Sequence, residues 1–215
     1  MNLTISVIVV VKNGAAYLLS AIGSIWAQTV RPNEIIIVVG QSDDDTLQIA
    51  NSLPAVTVVA QQSTGLANAR NCGIDHATGN LIAFLDHDDL WHPLKLEKQL
   101  PIFIDSPTIQ YCTTHFSFLG GPRNTQSSAA GTPGTLIARA ALFDQIGRFD
   151  PRYQIGCDAD WFTRARDHQI KSAIVPEILF YKRLHTSNLS NKGSRNRQEL
   201  FDIARRSIKR VRQTS

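Results

Sequence analysis

Three carboxylates in four positions, Asp86, Asp88 and Asp89, close the apolar run Leu81-Ile82-Ala83-Phe84-Leu85. Acids packed this closely repel one another, so keeping all of them ionised at neutral pH requires a compensating cation or strong hydrogen bonding. A hard divalent ion held by one or two carboxylates and by substrate phosphates meets that requirement. An Asp-rich turn capping the next helix is the plainer alternative, although one Asp would serve as a cap. The apolar run has the length and continuity of a parallel strand covered on both faces, and ligands of open α/β sheets collect at the carboxyl ends of such strands. The acids therefore fall where chemistry is expected.

The segments around this run alternate strand and helix signals, the pattern of parallel βαβ units. Residues 4–11 are β-branched and nearly all apolar, and residues 16–28 place Leu18, Leu19, Ile22, Ile25 and Trp26 at helical spacing. A second strand over 34–39 ends at the polar loop Gly40-Gln41-Ser42-Asp43-Asp44-Asp45; a short helix over 46–53, a strand over 56–60 and a helix over 66–77 lead to the strand at 81–85. Pro93 suits the first turn of a helix over 94–104, and an aromatic, β-branched stretch covers 109–118. Residues 120–134, rich in Gly, Pro, Ser, Thr and Asn, read as a mobile loop. Beyond it, 138–146, 158–167 and 198–211 read as helices, and 172–175 and 177–181 as extended.

The 215 residues suit one α/β domain, and 43% hydrophobic with 19% charged residues describe a globular chain. No apolar stretch approaches the roughly 20 residues that cross a bilayer, and the first residues run into a strand pattern without a signal-peptide core; a cytoplasmic location is expected. Cys72, Cys112 and Cys157 lack metal-ligand spacing and read as reduced thiols. Much of the net charge of +4 sits in a terminal segment where Arg195, Arg197, Arg205, Arg206, Lys209, Arg210 and Arg212 face only Glu199 and Asp202. The rest is near neutral, so no nucleic-acid partner is expected. That segment puts Phe201, Ala204, Ile208 and Val211 on one helical face. A basic amphipathic helix can lie on an anionic membrane surface; docking on the protein's own body is the favoured expectation.

Five pieces in order carry a family resemblance: Ser6-Val7-Ile8-Val9-Val10-Val11 with Asn13; Ser24-Ile25-Trp26-Ala27-Gln28-Thr29 ahead of Glu34-Ile35-Ile36-Ile37-Val38-Val39; Gly65 with Ala69-Arg70-Asn71; Phe84-Leu85-Asp86-His87-Asp88-Asp89; and Gly147-Arg148-Phe149-Asp150 leading to Asp158-Ala159-Asp160-Trp161. Together they span nearly the whole chain, which resembles the family-2 glycosyltransferases of the GT-A fold. The resemblance implies an α/β fold with a mainly parallel central sheet flanked by helices, in a single domain over 1–215. Its parts would be a nucleotide-sugar-binding half (1–119), the mobile loop (120–134), an acceptor-side half (135–194) and a basic C-terminal helix (195–215). The implied activity is inverting transfer of a sugar from a nucleoside diphosphate sugar to an acceptor hydroxyl, with Mn²⁺ or Mg²⁺. The acceptor, saccharide or lipid-linked, stays open.

By the same resemblance, Asp86 faces the ribose or base, Asp88 binds the metal, and His185 adds a metal ligand or phosphate contact. Arg70 points toward the nucleotide, rather than being a solvated surface arginine, and Val11 and Asn13 lie at the donor-binding end of the first strand. Asp158 is the general base, with Cys157 where relatives carry glutamate; Asp160 is the competing base, or the helix cap. Trp161 underlies the acceptor site or is a core aromatic. Asp89 caps the Leu90-Trp91 turn or orders the residues that touch the ligand, Asn71 is structural, and His87 and His92 lie at the surface or just behind the site. Val39-Gly40 replaces the family's acid pair at the second strand end, leaving Gln41, Asp43 or Asp44 to meet the base. Two rival functions remain: a nucleotidyltransferase, for which Lys12-Asn13-Gly14-Ala15-Ala16 is the wrong loop, and a non-catalytic binding or scaffold protein derived from a glycosyltransferase.

Overall fold

The apolar runs of the first half pair side by side. In the computed structural model, which describes residues 3–119, 131–185 and 193–214, β1 (Ile5–Val11), β2 (Glu34–Val39), β3 (Thr57–Ala60) and β4 (Leu81–Asp86) are parallel neighbours in the order β3-β2-β1-β4. The apolar continuity of β1, β2 and β4 reflects burial on both faces, while β3 is the half-exposed edge. On β1, Val7, Val9 and Val11 join one core cluster with Leu18, Ile22 and Ile25 of α1 (Leu18–Trp26). Ile8 and Val10 join the other with Ala67, Ala69 and Ile74 of α3 (Leu66–His76). Between these helices, α2 (Thr46–Ser52) follows β2.

The second half departs from the sequence expectation in three places. Residues 138–146 are not one helix: β7 (Ile137–Arg139) pairs antiparallel with β4 and with β6 (Tyr111–Leu119), and only then does α5 (Ala140–Gln145) begin. A buried slot between two strands needs backbone donors and acceptors, and that demand overrides local helical periodicity. Leu90–Trp91 is not a turn but β5, paired with β8 (Ser172–Arg183). The two expected extended pieces, 172–175 and 177–181, are one strand, β8, whose parallel register with β6 slips between Val175 and Ile178. Pro176 falls in that slip, where its missing N–H breaks no ladder bond.

The finished sheet runs β3-β2-β1-β4-β7-β6-β8-β5, so the α/β class holds with a mixed, mostly parallel sheet. Helix α4 (Lys95–Asp105) covers the α1 face, while α6 (Cys157–Asp167) covers the α3 face. The expected loop at 120–134 lies outside the described residues over 120–130; its end is packed rather than loose. Pro133–Thr135 form a buried 3-10 turn, the Gly134 carbonyl accepts a bond from Trp91 Nε1 at 3.0 Å, and a Cβ on Gly134 would lie 2.4 Å from the Phe180 ring. The last helix, α7 (Gly193–Thr214), docks on α6: Ile203 and Ser207 are buried, and Asp167 accepts bonds from Ser207 Oγ (2.8 Å) and Arg210 Nε (3.0 Å).

Candidate active site

Parallel register brings Val10 opposite Asp86 and Val11 opposite Val39, so the residues singled out on β1, β2 and β4 share one end of the sheet. Arg70 rises into this end from α3. The helix lies so close to β1 that a Cβ on Gly73 would sit 2.3 Å from Ile8 Cγ2, and only glycine permits that approach. One turn before it, the Arg70 guanidinium is 1% exposed. Its Nη2 donates to both oxygens of Asp86 at 3.1 and 3.3 Å, its Nη1 donates to Asp158 Oδ1 at 3.2 Å, and its Cζ lies 5.4 Å from the Phe149 ring centre. Arg70 is therefore no solvated surface arginine: it joins the end of β4 to the start of α6.

The electrostatics follow from this one cation. Burial acts to lower the Arg70 pKa, but the charges of Asp86 and Asp158 outweigh it and the group stays firmly protonated. Burial acts to raise Asp86, and Arg70 with Lys182 carries it below the ordinary carboxylate value. Cys157, buried beside Asp158, has its thiol pushed well up by burial first and then by that charge; the thiol lies 3.2 Å from Asp158 Oδ1, as a donor.

Asp88 meets a different partner. His185 Nε2 lies 2.8 Å from Asp88 Oδ2, with both side chains 17% exposed. The imidazole packs 5.4 Å from the Tyr17 ring, and Arg183 sits over the same ring at 4.8 Å while its Nε donates to the Asp88 carbonyl at 3.0 Å. Asp89 caps no turn; its Oδ1 accepts the Arg183 N–H at 2.8 Å across the β5–β8 edge. Burial, then the charges of Asp86 and Asp88, push its pKa up to about 8. Each of the three acids thus has its own partner: Asp86 the Arg70 guanidinium, Asp89 the Arg183 N–H, and Asp88 the His185 ring. Among the described residues, no group of three His, Cys, Asp or Glu side chains converges as a metal site.

The neighbouring loops are tied to each other. Asn13, at φ 51°, accepts the Asp43 N–H through its side chain at 2.9 Å, and its own N–H donates to Ser42 Oγ at 3.0 Å. Val11 gives its carbonyl to the Gly40 N–H at 2.8 Å. A Cβ on Gly40 would come within 3.0 Å of Gln61 Oε1, a tight fit at the position where an acid was missed. Asp44 is not free to reach a base: it holds Thr46 N at 3.1 Å and Ala15 N at 3.0 Å. Gln41 and Asp43 are exposed.

On the far side, α6 starts at Cys157, with Gly156 in the cap position. Asp160 is neither cap nor exposed base. It is 2% exposed and accepts a bond from Arg164 Nε at 2.8 Å, and Arg164 in turn donates to the carbonyls of Ile146, Gly147 and Arg148. That clamp ties the Gly147-Arg148-Phe149 segment to Asp160 on α6. Trp161 is fully buried and stacked on Phe143 at 5.1 Å, a core aromatic. The Asn71 side chain donates through Nδ2 to the Phe149 carbonyl at 2.8 Å and accepts the Phe149 N–H at 3.1 Å. Sequence reading did not assign Tyr17, Arg183 or Glu199 to this region. The Glu199 carboxylate accepts the N–H groups of Gln154, Ile155 and Gly156 at 3.0, 3.0 and 2.8 Å, bracing the loop before Asp158 from α7.

The sequence profile described as "Glycosyl transferase family 2" matches residues 6–168, a span containing Arg70, Asp86, Asp88 and Asp158. The chain belongs to glycosyl transferase family 2. An uncharacterised glycosyltransferase of Rickettsia prowazekii is 30% identical over 93% of this chain and 70% of its own length. Among solved structures, S. aureus TarS 1-349 in complex with UDP-GlcNAc superposes with a TM-score of 0.82 at 20% identity over 96% of this chain. The present chain spans 37% to 66% of the TarS chains it matches. The glucosyl-3-phosphoglycerate synthase of Mycobacterium tuberculosis, in complex with Mn²⁺, UDP and phosphoglyceric acid, superposes with a TM-score of 0.74 at 21% identity over 95% of this chain and 78% of its own. These likenesses give the family-2 member a GT-A-like fold, and its family gives it a glycosyltransferase activity on nucleotide sugars in general terms.

Proposed function

We propose that this family-2 protein is an inverting, metal-dependent transferase that moves a sugar from a nucleoside diphosphate sugar to the hydroxyl of a saccharide or lipid-linked acceptor. The observation that carries the reading is Arg70, which joins Asp86 at the strand end to Asp158 at the start of α6. In this reading Asp86 and Arg70 hold the nucleotide, Asp86 by contact and the buried guanidinium by fixing the Asp86 carboxylate and supplying positive charge beneath the donor. Val11, Asn13 and the exposed Gln41 line the same sheet end, on the donor's side. Asp88 and His185, a carboxylate and an imidazole side by side, would hold a divalent cation together with the donor's phosphates. Such an ion supplies charge stabilisation at the departing diphosphate.

Asp158 acts as the base. Among the described residues both of its hydrogen bonds, from Arg70 and Cys157, fall on Oδ1, which leaves Oδ2 for the acceptor hydroxyl. Neighbouring Cys157 stays protonated and does not compete for the proton. As the hydroxyl oxygen attacks the anomeric carbon, its proton passes to Asp158 and the diphosphate leaves from the opposite face, which inverts the centre. The three unpaired cysteines fit action in a reducing compartment.

The test pairs binding with turnover. Asp158→Asn is expected to bind a nucleoside diphosphate with Mn²⁺ within a few-fold of wild type by titration calorimetry and to lose roughly 10²–10⁴-fold in transfer. Asp88→Ala is expected to lose the metal dependence of that binding. Full transfer by Asp158→Asn removes the base. A wild type whose melting temperature no sugar nucleotide raises, with or without Mn²⁺, favours the scaffold reading.

A further inference from the structure

Helix α7 has a second face that the fold leaves open. Its inward residues are occupied: Ile203 and Ser207 are buried against α6, Glu199 holds the loop at 154–156, and Asp202 accepts bonds from Tyr153 (2.6 Å) and Arg206 (2.7 Å). Glu199 is thus turned to the protein body, whereas Asp202 lies at the edge of the helix, 42% exposed and paired with Arg206. On the outward arc Phe201 is 76% and Ile208 56% exposed, with Leu200 and Ala204 beside them. Arg197, Arg205, Lys209 and Arg212 share that exposed arc, and no acid does. From 197 to 212 the arc is about 22 Å long at 1.5 Å per residue.

We propose that this outward arc of α7 is a docking surface for an anionic lipid bilayer, with Phe201 and Ile208 entering the interfacial region and Arg197, Arg205, Lys209 and Arg212 meeting lipid phosphates. Charge complementarity selects the occupant: Asp202, at the edge of the arc, is paired with Arg206, so the four cations of the arc keep an excess of positive charge that would repel a second copy of the same face, whereas an anionic surface neutralises them. The exposed aromatic and aliphatic side chains separate a lipid surface from a free polyanion, because they gain only by leaving water. The helix is oriented for the task by its inner face, which is fixed to α6 before any lipid is met. This proposal concerns the surface alone and does not rest on the identity of donor or acceptor.

Co-sedimentation of the full chain with vesicles tests it. Vesicles of 70:30 phosphatidylcholine and phosphatidylglycerol are expected to carry the protein down at 0.1 M salt, and pure phosphatidylcholine vesicles to leave it in solution. Raising the salt to 0.5 M should release most of it, an arm that needs no variant. Each cation near such a surface contributes about fivefold, so Arg205→Gln, Lys209→Gln and Arg212→Gln together are expected to weaken binding roughly 100-fold. Phe201→Ser with Ile208→Ser should weaken it further at fixed charge, while circular-dichroism melting confirms that both variants remain folded. Equal binding to neutral and anionic vesicles, or none to either, overturns the proposal. So does a wild type that binds single-stranded RNA but not vesicles, or one that dimerises in the ultracentrifuge where Phe201→Ser does not.

Discussion

Two fully buried cations lie on opposite faces of one sheet and meet opposite electrostatic fates. Arg70, in the α3 face, sits between the carboxylates of Asp86 and Asp158 and holds its charge more firmly than a free arginine. Lys95, in the α4 face, is 0% exposed with only the Gln99 carbonyl oxygen at 2.8 Å, and burial drives its pKa down to about 7. The Trp91 ring, 4.3 Å from its Nζ, works the other way by favouring the cation. Burial alone does not mark a binding site. The charge with two carboxylates ties the end of β4 to the start of α6, whereas the one with an amide belongs to packing: Gln99 also donates to the carbonyls of Cys112 (3.1 Å) and Thr135 (3.0 Å), fixing β6 and the 3-10 turn.

The sharpest way to break this contrast is Arg70→Met, which leaves two carboxylates without their cation. It is expected to lower stability in urea unfolding by about 3–5 kcal/mol and to abolish nucleotide binding. Adding Asp158→Asn should recover part of the stability loss, and strict additivity of the two would show that the pair is not coupled. Lys95 should reveal itself through pH. Its folded pKa of about 7 lies below its ordinary value of 10.5, so between these limits the unfolded chain holds a proton that the folded one has lost. Stability therefore rises with pH across that window and the gain is lost as pH falls through 7. Relative to Lys95→Met, wild type is expected to gain about 2 kcal/mol from pH 7.5 to 9.5 and to show no further change below about pH 6.

Smaller effects test how each cation is placed. Gly73→Ala pushes α3 from Ile8 and is expected to cost about 1–3 kcal/mol and weaken donor binding through Arg70, leaving the Lys95 pH window unchanged. Glu199→Gln removes the negative charge at the start of α6 and is expected to cost about 0.3–1 kcal/mol, read as a small drop in melting temperature that high salt erases. A larger loss would mean that α7 braces the Asp158 loop more strongly than a surface pair does.

Some of this was legible before folding because it is written in local pattern. β1, β2 and β4 announce themselves as continuous apolar runs, and α1 to α4 lie within about two residues of their periodic segments. Asp86 and Asp88 follow from the end of a run. Other features had no local signature. Two residues, Leu90 and Trp91, become a strand only because β8 offers a partner, and Ile137–Arg139 becomes one because a slot opens between β4 and β6. The buried state of Arg70 was equally hidden, since a single arginine in a helix reads the same whether it faces water or two carboxylates.

By itself, then, the sequence determined the parallel half-sheet, the acids at its end and the amphipathic last helix, since hydrophobic periodicity and strand termination depend on neighbours in the chain. Tertiary structure alone decided that Asp86 and Asp158 share one guanidinium, that His185 reaches Asp88, that Asp89 is buried against the Arg183 N–H, and that Glu199 braces the loop before α6. Those are contacts between residues far apart in the chain, and their electrostatics depend on burial and distance, which exist only once the layers have closed.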